Sequence, residues 1–176
     1  MQQASEFECL SRTMAPRIAS LARHLCGREA SDGAQEVFRE LLRSWPSFRG
    51  ESAATTWAHR LAVRTLVRFA QRTRHRHEQE PTETELSLAL AERAVADFAE
   101  NPFTALVAAE RRKRVHLAMQ SLSPPLRAAL VLRVVEGLDY AAIAHALELP
   151  LGTVKSRIAA ATLRLAERLQ NLGAEA

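Results

Sequence analysis

Aromatic side chains make up only 5% of the 176 residues, and glycine occurs only six times. A β-sandwich or barrel draws on aromatic and β-branched strands joined by glycine-rich turns, so this poverty argues against both. Cysteine is nearly absent: Cys9 and Cys26 are too few for a disulfide framework. His24 stands two residues before Cys26, yet no second His/Cys pair follows at ligand spacing. A buried thiol on an apolar helix is the favoured reading, with a metal site as the alternative. No apolar run approaches the ~20 residues that cross a bilayer. The opening MQQASEFECL lacks both the basic start and the apolar core of a secretory signal. The expectation is a cytoplasmic protein with no membrane insertion, no metal and no cofactor.

What the chain has in abundance is Ala, Leu and Arg, a mix that favours helix. The formal charge of +4 hides an uneven distribution. Residues 1–76 carry net +6, residues 77–110 net −7 and residues 111–176 net +5. Two basic blocks flank an acidic bridge, so the ends attract a polyanion and the middle repels it.

Apolar residues recur at helical spacing through most of the chain. Phe7, Leu10, Met14, Ile18, Leu21 and Leu25 give one face of a helix over 5–26, opened by a Ser5/Glu8 capping box and stopped by Gly27. Asp32 with Gln35 opens a second helix whose buried stripe is Val37, Phe38, Leu41, Leu42 and Trp45, ended by Pro46. After the polar loop SFRGES comes a third helix from about Ala53, with Ala58, Leu61, Ala62, Thr65, Leu66 and Phe69 inward. Its other face carries Arg60, Arg64, Arg68 and Arg72, a ladder of like charge that destabilises an isolated helix by a few tenths of a kcal/mol per pair. Either an anionic partner or plain solvent accounts for such a ladder. HRH at 75–77 reads as a basic turn.

An acidic connector follows, with a capping box at Thr82/Glu85. Asn101-Pro102 starts the next helix, with Phe103, Leu106, Val107 and Leu117 as its apolar positions. Ser123-Pro124 starts another, with Leu126, Leu130, Val131 and Val134 inside and Gly137 at its end. Asp139 caps a short helix with Ile143, Ala144 and Leu147 inward, and ELP at 148–150 forms a turn. The last helix runs from about Thr153 to Leu172, with Val154, Ile158, Ala161, Leu165, Leu169 and Leu172 on one face. A short helix, a tight turn and a helix with a basic start make a helix-turn-helix pattern; a plain helical hairpin is the competing reading.

The fold expected is all-α: two small helical domains, 1–76 and 102–176, joined by an acidic linker at 77–101. Each half has fewer than ~80 residues, so each core is marginal and gains from a partner. In the helix-turn-helix, Thr153 would cap the second helix, while Lys155, Ser156 and Arg157 lie off its apolar stripe and would enter a major groove. Ala159 and Ala160 offer phosphate nothing, so DNA contact is confined to the first two turns and should be weak in the free protein.

Residues 122–158, LSPPLRAALVLRVVEGLDYAAIAHALELPLGTVKSRI, resemble the promoter-reading C-terminal domain of extracytoplasmic-function (ECF) sigma factors. The shared features are Leu122-Ser123-Pro124, Arg127, Glu136 through Tyr140, Ile143-Ala144 and Gly152 through Arg157. Residues 35–62, QEVFRELLRSWPSFRGESAATTWAHRLA, resemble the same family's N-terminal domain through QEVF, FRGES and the following TW. The resemblance implies a non-enzymatic initiation subunit whose partners are core RNA polymerase, promoter DNA and an anti-sigma factor. It implies polymerase docking through Asp32, Gln35, Glu36 and Arg39. It implies opening of the minus-ten element and capture of a flipped base through Phe48, Arg49, Ser52, Thr56, Trp57, Arg60 and Arg64. Strand opening costs a few kcal/mol, which a pocket and a cationic groove can offset. Trp57 can equally serve simple packing at a helix start. Thr153, Lys155, Ser156 and Arg157 would read the minus-thirty-five element.

The chain departs from the family pattern in four places. Ser31-Asp32-Gly33-Ala34 stands where the family has a doubly acidic AED-L-V, and Gly33 weakens a helix start by up to ~1 kcal/mol. Val63-Arg64-Thr65 replaces ARN. Glu148 replaces the usual turn glycine, at a cost of ~1–2 kcal/mol if the backbone is left-handed. Ala160 replaces an Arg. These departures sustain a second reading, a divergent sigma-like DNA-binding regulator without initiation activity. An enzyme finds no phosphate-cradling loop, ligand spacing or nucleophile motif in the sequence.

Overall fold

A computed structural model describes the backbone of residues 2–79 and 102–174, and the side chains of 5–76 and 110–171. The acidic connector with its Thr82/Glu85 box, and the side chains of Phe103, Leu106, Val107 and Leu172, lie outside the described residues. Among those described, every regular element is helical. Three helices form the N-terminal half: α1 (Gln2–Cys26), α2 (Ala30–Ser44) and α3 (Ala54–Gln79). Four form the C-terminal half: α4 (Pro102–Ser121), α5 (Pro124–Val134), α6 (Tyr140–Leu147) and α7 (Leu151–Ala174).

α1 runs through Pro16, which removes a backbone hydrogen bond and costs ~3 kcal/mol in a helix interior. Burial offsets this: Leu10, Met14, Ile18, Leu21 and Leu25 are each at most 6% exposed, and each such side chain contributes about 1.5–3 kcal/mol. Because the helix already begins at Gln2, Ser5 is not its cap, and Glu8 instead pairs with Arg12 one turn on. Gly27 stops the helix at φ +60°, a conformation that favours glycine. α2 starts at Ala30, before Asp32, with no side-chain cap. Its stripe is Val37 and Leu41, with Phe38 and Trp45 half-buried; Leu42, at the wrong angle for that stripe, is 61% exposed. Gly33 is buried where α2 crosses its neighbours, and a Cβ there would lie 3.0 Å from Cys26 Sγ and 3.1 Å from Leu66 Cδ2. Close packing thus accounts for the glycine that weakens the helix start. The sequence 75–77 is not a turn but part of α3.

The two halves do not keep separate cores. One continuous cluster joins Leu21, Val37, Leu41, Val63 and Leu66 of the N-terminal half to Ala128, Val131, Leu132, Ile143, Val154 and Ile158 of the C-terminal half. The partner that each marginal core was expected to need is the other half. α5 makes this possible. Pro124, Arg127, Ala128, Ala129, Leu130, Val131 and Leu132 are all buried, because the helix packs on α1 and α3 on one side and on α7 on the other. A smaller cluster of Leu122, Leu130 and Ala161 lies between α4, α5 and α7. Val134, expected inside, is 70% exposed at the end of α5, and Leu117 yields its place to the fully buried Ala118.

Candidate nucleic-acid interface

Asp139 caps α6 as expected, its Oδ1 accepting from the Ala142 amide at 2.7 Å. The turn that follows is left-handed at Glu148, φ 55° and ψ 48°. The Leu149 amide then closes back on the Ala144 carbonyl at 3.0 Å. α7 begins two residues earlier than the sequence indicated. Thr153 is therefore inside the first turn rather than its cap, and the Pro150 carbonyl takes the Val154 amide. Val154, Ile158 and Ala161 are buried, which fixes the rotation of α7. Lys155 and Ser156 point outward from its first two turns, with Thr153 and Arg157 half-buried beside them. Ser156 Oγ donates to the Thr153 carbonyl. Among the described residues neither Lys155 nor Arg157 has a side-chain partner.

The minus-ten candidates gather around an aromatic cluster that the sequence did not reveal. Trp45 and Phe48 stack at 5.3 Å between centroids, Phe48 meets Trp57 at 5.1 Å, and Phe7 closes on Trp45 at 5.8 Å. Such contacts add ~0.5–1.5 kcal/mol per pair beyond burial and hold the 48–53 loop against the start of α3. Phe48 and Trp57 are thus packed, half-buried and still partly open to solvent. Arg49 and Thr56 are exposed nearby. Arg60 Nη2 donates to Ser52 Oγ at 3.1 Å, tying the loop to the helix.

The arginine ladder is not a plain solvated face. Arg60 meets His145 Nε2, Arg64 pairs with Glu148, and Arg72 reaches Glu36 at 3.4 Å. Below it, a cleft of about 710 Å³ is lined by Arg68, Arg72, Arg74 and His75 together with Ser123 and Pro124. The docking candidates occupy α2. Asp32, Gln35 and Arg39 are exposed, and half-buried Glu36 pairs with Arg39 at 3.1 Å as well as with Arg72.

Further polar contacts join the halves. Arg17 Nε donates to Glu136 Oε2 at 2.7 Å. His59 Nε2 lies 3.2 Å from the same oxygen, at a distance suited to an ion pair but without hydrogen-bond geometry. Burial, and then the neighbouring Arg17, hold His59 below the ordinary histidine range, against the pull of Glu136. Arg127 is 6% exposed and donates to the carbonyls of Leu25, Gln120 and Leu122 at 2.7, 2.9 and 2.9 Å and to the Gln120 side chain. Burial pulls its guanidinium down to about 10. Burial also pushes the Cys26 thiol up to about 12, consistent with a packed, unreactive cysteine. Among the described residues no group of three His, Cys, Asp or Glu could hold a metal, and no helix is long and apolar enough to cross a membrane.

Family models locate these features. "Sigma-70 region 2" matches residues 10–76, and "Sigma-70, region 4" matches 112–165, so α1–α3 and α4–α7 carry the two halves of a sigma-type transcription factor. The RNA polymerase sigma-H factor of Pseudomonas aeruginosa is 37% identical over 150 residues, 85% of this chain and 77% of that protein. The ECF RNA polymerase sigma-E factor of Escherichia coli K12 is 33% identical over 157 residues, 89% of this chain and 82% of that one. The chain belongs to the ECF family of RNA polymerase sigma factors. Solved structures share its fold. The sigma factor RpoE of Bartonella quintana, in complex with the anti-sigma factor NepR, has a TM-score of 0.65 at 21% identity, covering 94% of this chain and 97% of that one. CnrH in complex with the cytosolic domain of CnrY has a TM-score of 0.60 at 18% identity, covering 97% and 94%.

Proposed function

We propose that this protein is a non-catalytic initiation subunit that binds core RNA polymerase in the cytoplasm and directs it to promoters, reading and opening DNA with two separate surfaces. The observation that supports this is that two cationic faces lie within two separate family matches, residues 10–76 and 112–165. Lys155, Ser156 and Arg157 project from the first turns of the second helix of a helix-turn-helix, where such helices meet base edges. Arg60 and Arg64 project from α3 beside an aromatic cluster suited to stacking on an unpaired base. In this reading Thr153 completes the minus-thirty-five surface, and Phe48, Arg49, Ser52, Thr56 and Trp57 complete the minus-ten surface. Asp32, Gln35, Glu36 and Arg39 of α2 dock on polymerase. Residues 1–76 and 102–176 are the two working domains, and 77–101 is the acidic tether between them. An anti-sigma factor is the expected silencing partner; the Bartonella quintana RpoE that shares this fold was solved in complex with the anti-sigma factor NepR.

Run-off transcription with core polymerase tests the reading. Promoter-dependent transcripts support it. Polymerase or DNA binding without transcripts supports instead the divergent regulator, which the missing acidic group before Gln35 and the Thr65 replacement of Asn keep in view.

A further inference from the structure

The cations of α3 continue past those assigned to DNA and line a concavity. Arg68, Gln71, Arg72 and His75 recur at three- and four-residue spacing, so they share one face of the helix, and they line the cleft of about 710 Å³. Arg164, Glu167, Arg168 and Asn171 repeat that spacing on α7 and line a second cleft of about 280 Å³. The two clefts meet at Arg74 and Ser123, which line both. Arg74 is fixed at this junction by its Nη1, which donates to the Leu122 carbonyl at 3.3 Å. Five arginines and one carboxylate, Glu167, thus line a joined space. Among the described residues Arg68, Arg164 and Arg168 have no side-chain hydrogen bond or ion pair, and Arg72 has a long contact of 3.4 Å to Glu36. Like charges gathered this way repel one another, a cost that an anion between them removes.

The start of α5 does not share in holding that anion. Its first two residues are Pro124 and Pro125, which carry no N–H, and the next two amides already donate to the Ser123 carbonyl. Side chains must therefore do the binding, and the shape of the lining selects the ligand class. The larger cleft falls within the ~300–1,000 Å³ of small-ligand sites. A reading helix projects into duplex DNA, whereas these cations line a hollow. A single strand is held by stacking on aromatic rings, and among the described residues no Phe, Tyr or Trp lines either cleft. Guanidinium forks, each able to take two phosphate oxygens, suit instead a short phosphate chain. We propose that this seam binds a small polyphosphate, inorganic or carried on a nucleoside, gripped by Arg68, Arg72 and Arg74 of α3 and by Arg164 and Arg168 of α7. The site shares no residue with the surfaces assigned to DNA.

Isothermal titration calorimetry of the full chain, in magnesium-free buffer at about 0.1 M KCl, tests this with sodium tripolyphosphate and with ATP. The parent protein is expected to bind each one to one. Tighter binding of ATP assigns a nucleotide source, and equal or tighter binding of tripolyphosphate assigns the inorganic chain. Arg68→Gln with Arg164→Gln removes one exposed cation from each helix and should weaken tripolyphosphate binding about tenfold, about threefold per contact. Glu167→Gln removes the carboxylate from the lining and should tighten binding about threefold. Arg12→Gln, an equal loss of charge on exposed α1, should change it less than about twofold. Far-UV circular dichroism verifies the fold of each variant. Amide NMR shifts on adding tripolyphosphate should fall on residues 68–75, 121–126 and 164–171. The proposal is overturned by absence of binding in the parent, by equal weakening in Arg12→Gln, by no tightening in Glu167→Gln, or by shifts confined to residues 60–64 and 153–157. A mixed-sequence single-stranded oligonucleotide that the double variant weakens about tenfold, with tripolyphosphate binding unmoved, marks a strand groove and overturns it too. Neither readout involves polymerase or promoter, so failure here is distinguishable from failure of the proposed function.

Discussion

Replacing Arg127 with methionine removes a group that donates to carbonyls in two segments, Leu25 near the end of α1 and Gln120 and Leu122 around the end of α4. The side chain is similar in length, so the packing around Ala128 and Val131 is retained and the loss is mainly polar. The Leu25 and Gln120 carbonyls lose a charged donor each. The Leu122 carbonyl keeps Arg74 Nη1 at 3.3 Å, and the half-buried Gln120 side chain can turn to solvent. Two orphaned acceptors, one buried and one part-buried, at about 1–3 kcal/mol each, less the relief of no longer burying a guanidinium, give a net loss of ~3 kcal/mol. With an m-value of ~2 kcal/mol/M, the urea midpoint falls by about 1.5 M. Arg127→Lys keeps the charge but not the fork, and is expected to lose about half as much. Equilibrium urea unfolding followed by far-UV circular dichroism reads both. A shift under about 0.5 M for methionine, or a lysine variant as stable as the parent, refutes the claim that this buried cation ties the segments together.

Gly33→Ala gains helix propensity but drives a methyl onto Cys26 Sγ and Leu66, for a net loss of about 1 kcal/mol in urea unfolding. Removing the sulfur as well, in Gly33→Ala/Cys26→Ala, should make the two costs less than additive. Because His59 is held below the ordinary histidine value of 6.5 by burial and Arg17, the unfolded chain takes up a proton that the folded chain refuses. Its contribution to stability is therefore fully present above pH 6.5 and declines as the pH falls through the lowered folded value. Melting temperature against pH should show this slope, and His59→Gln should flatten it. Lys155→Ala with Arg157→Ala should abolish promoter preference in transcription assays while leaving core-polymerase affinity unchanged; equal loss of both contradicts the division of labour between the halves.

Periodicity made the helices readable, since a 3.6-residue stripe needs no knowledge of the partner surface. The Asp139 cap and the turn at 148–150 were equally plain, being local. Positions that depend on what packs against them were not. Leu42, Leu117 and Val134 are apolar and near the stripes, yet exposed, because only the neighbouring helix decides where a stripe ends. Thr153 resembled a cap, but the chain enters α7 at Leu151, and the Pro150 carbonyl accepts from the Val154 amide. Gly33 looked like a weak helix start and is explained by Cys26 and Leu66, distant in sequence or on other elements. Among the DNA candidates, the outward cations Lys155 and Arg49 could be read from their place in motifs. The aromatic cluster around Trp45, and the pairing of Arg60 and Arg64 with residues about 85 positions away, could not, since long-range charge pairs leave no spacing in a sequence. Glu148 was visible as a departure from a pattern; its partner was not.

Permanganate probing of promoter thymines tests the central claim most directly, because it reports strand opening before any transcript is made. On a template that the reconstituted enzyme transcribes, core polymerase with this protein should render minus-ten thymines reactive, core alone should not, and Trp57→Ala or Arg64→Ala should reduce the reactivity at least tenfold, roughly the loss of one stacking contact. Full reactivity with both of those variants, or none with the parent protein bound to polymerase and promoter, would contradict the assignment of α3 and its aromatic cluster to promoter opening.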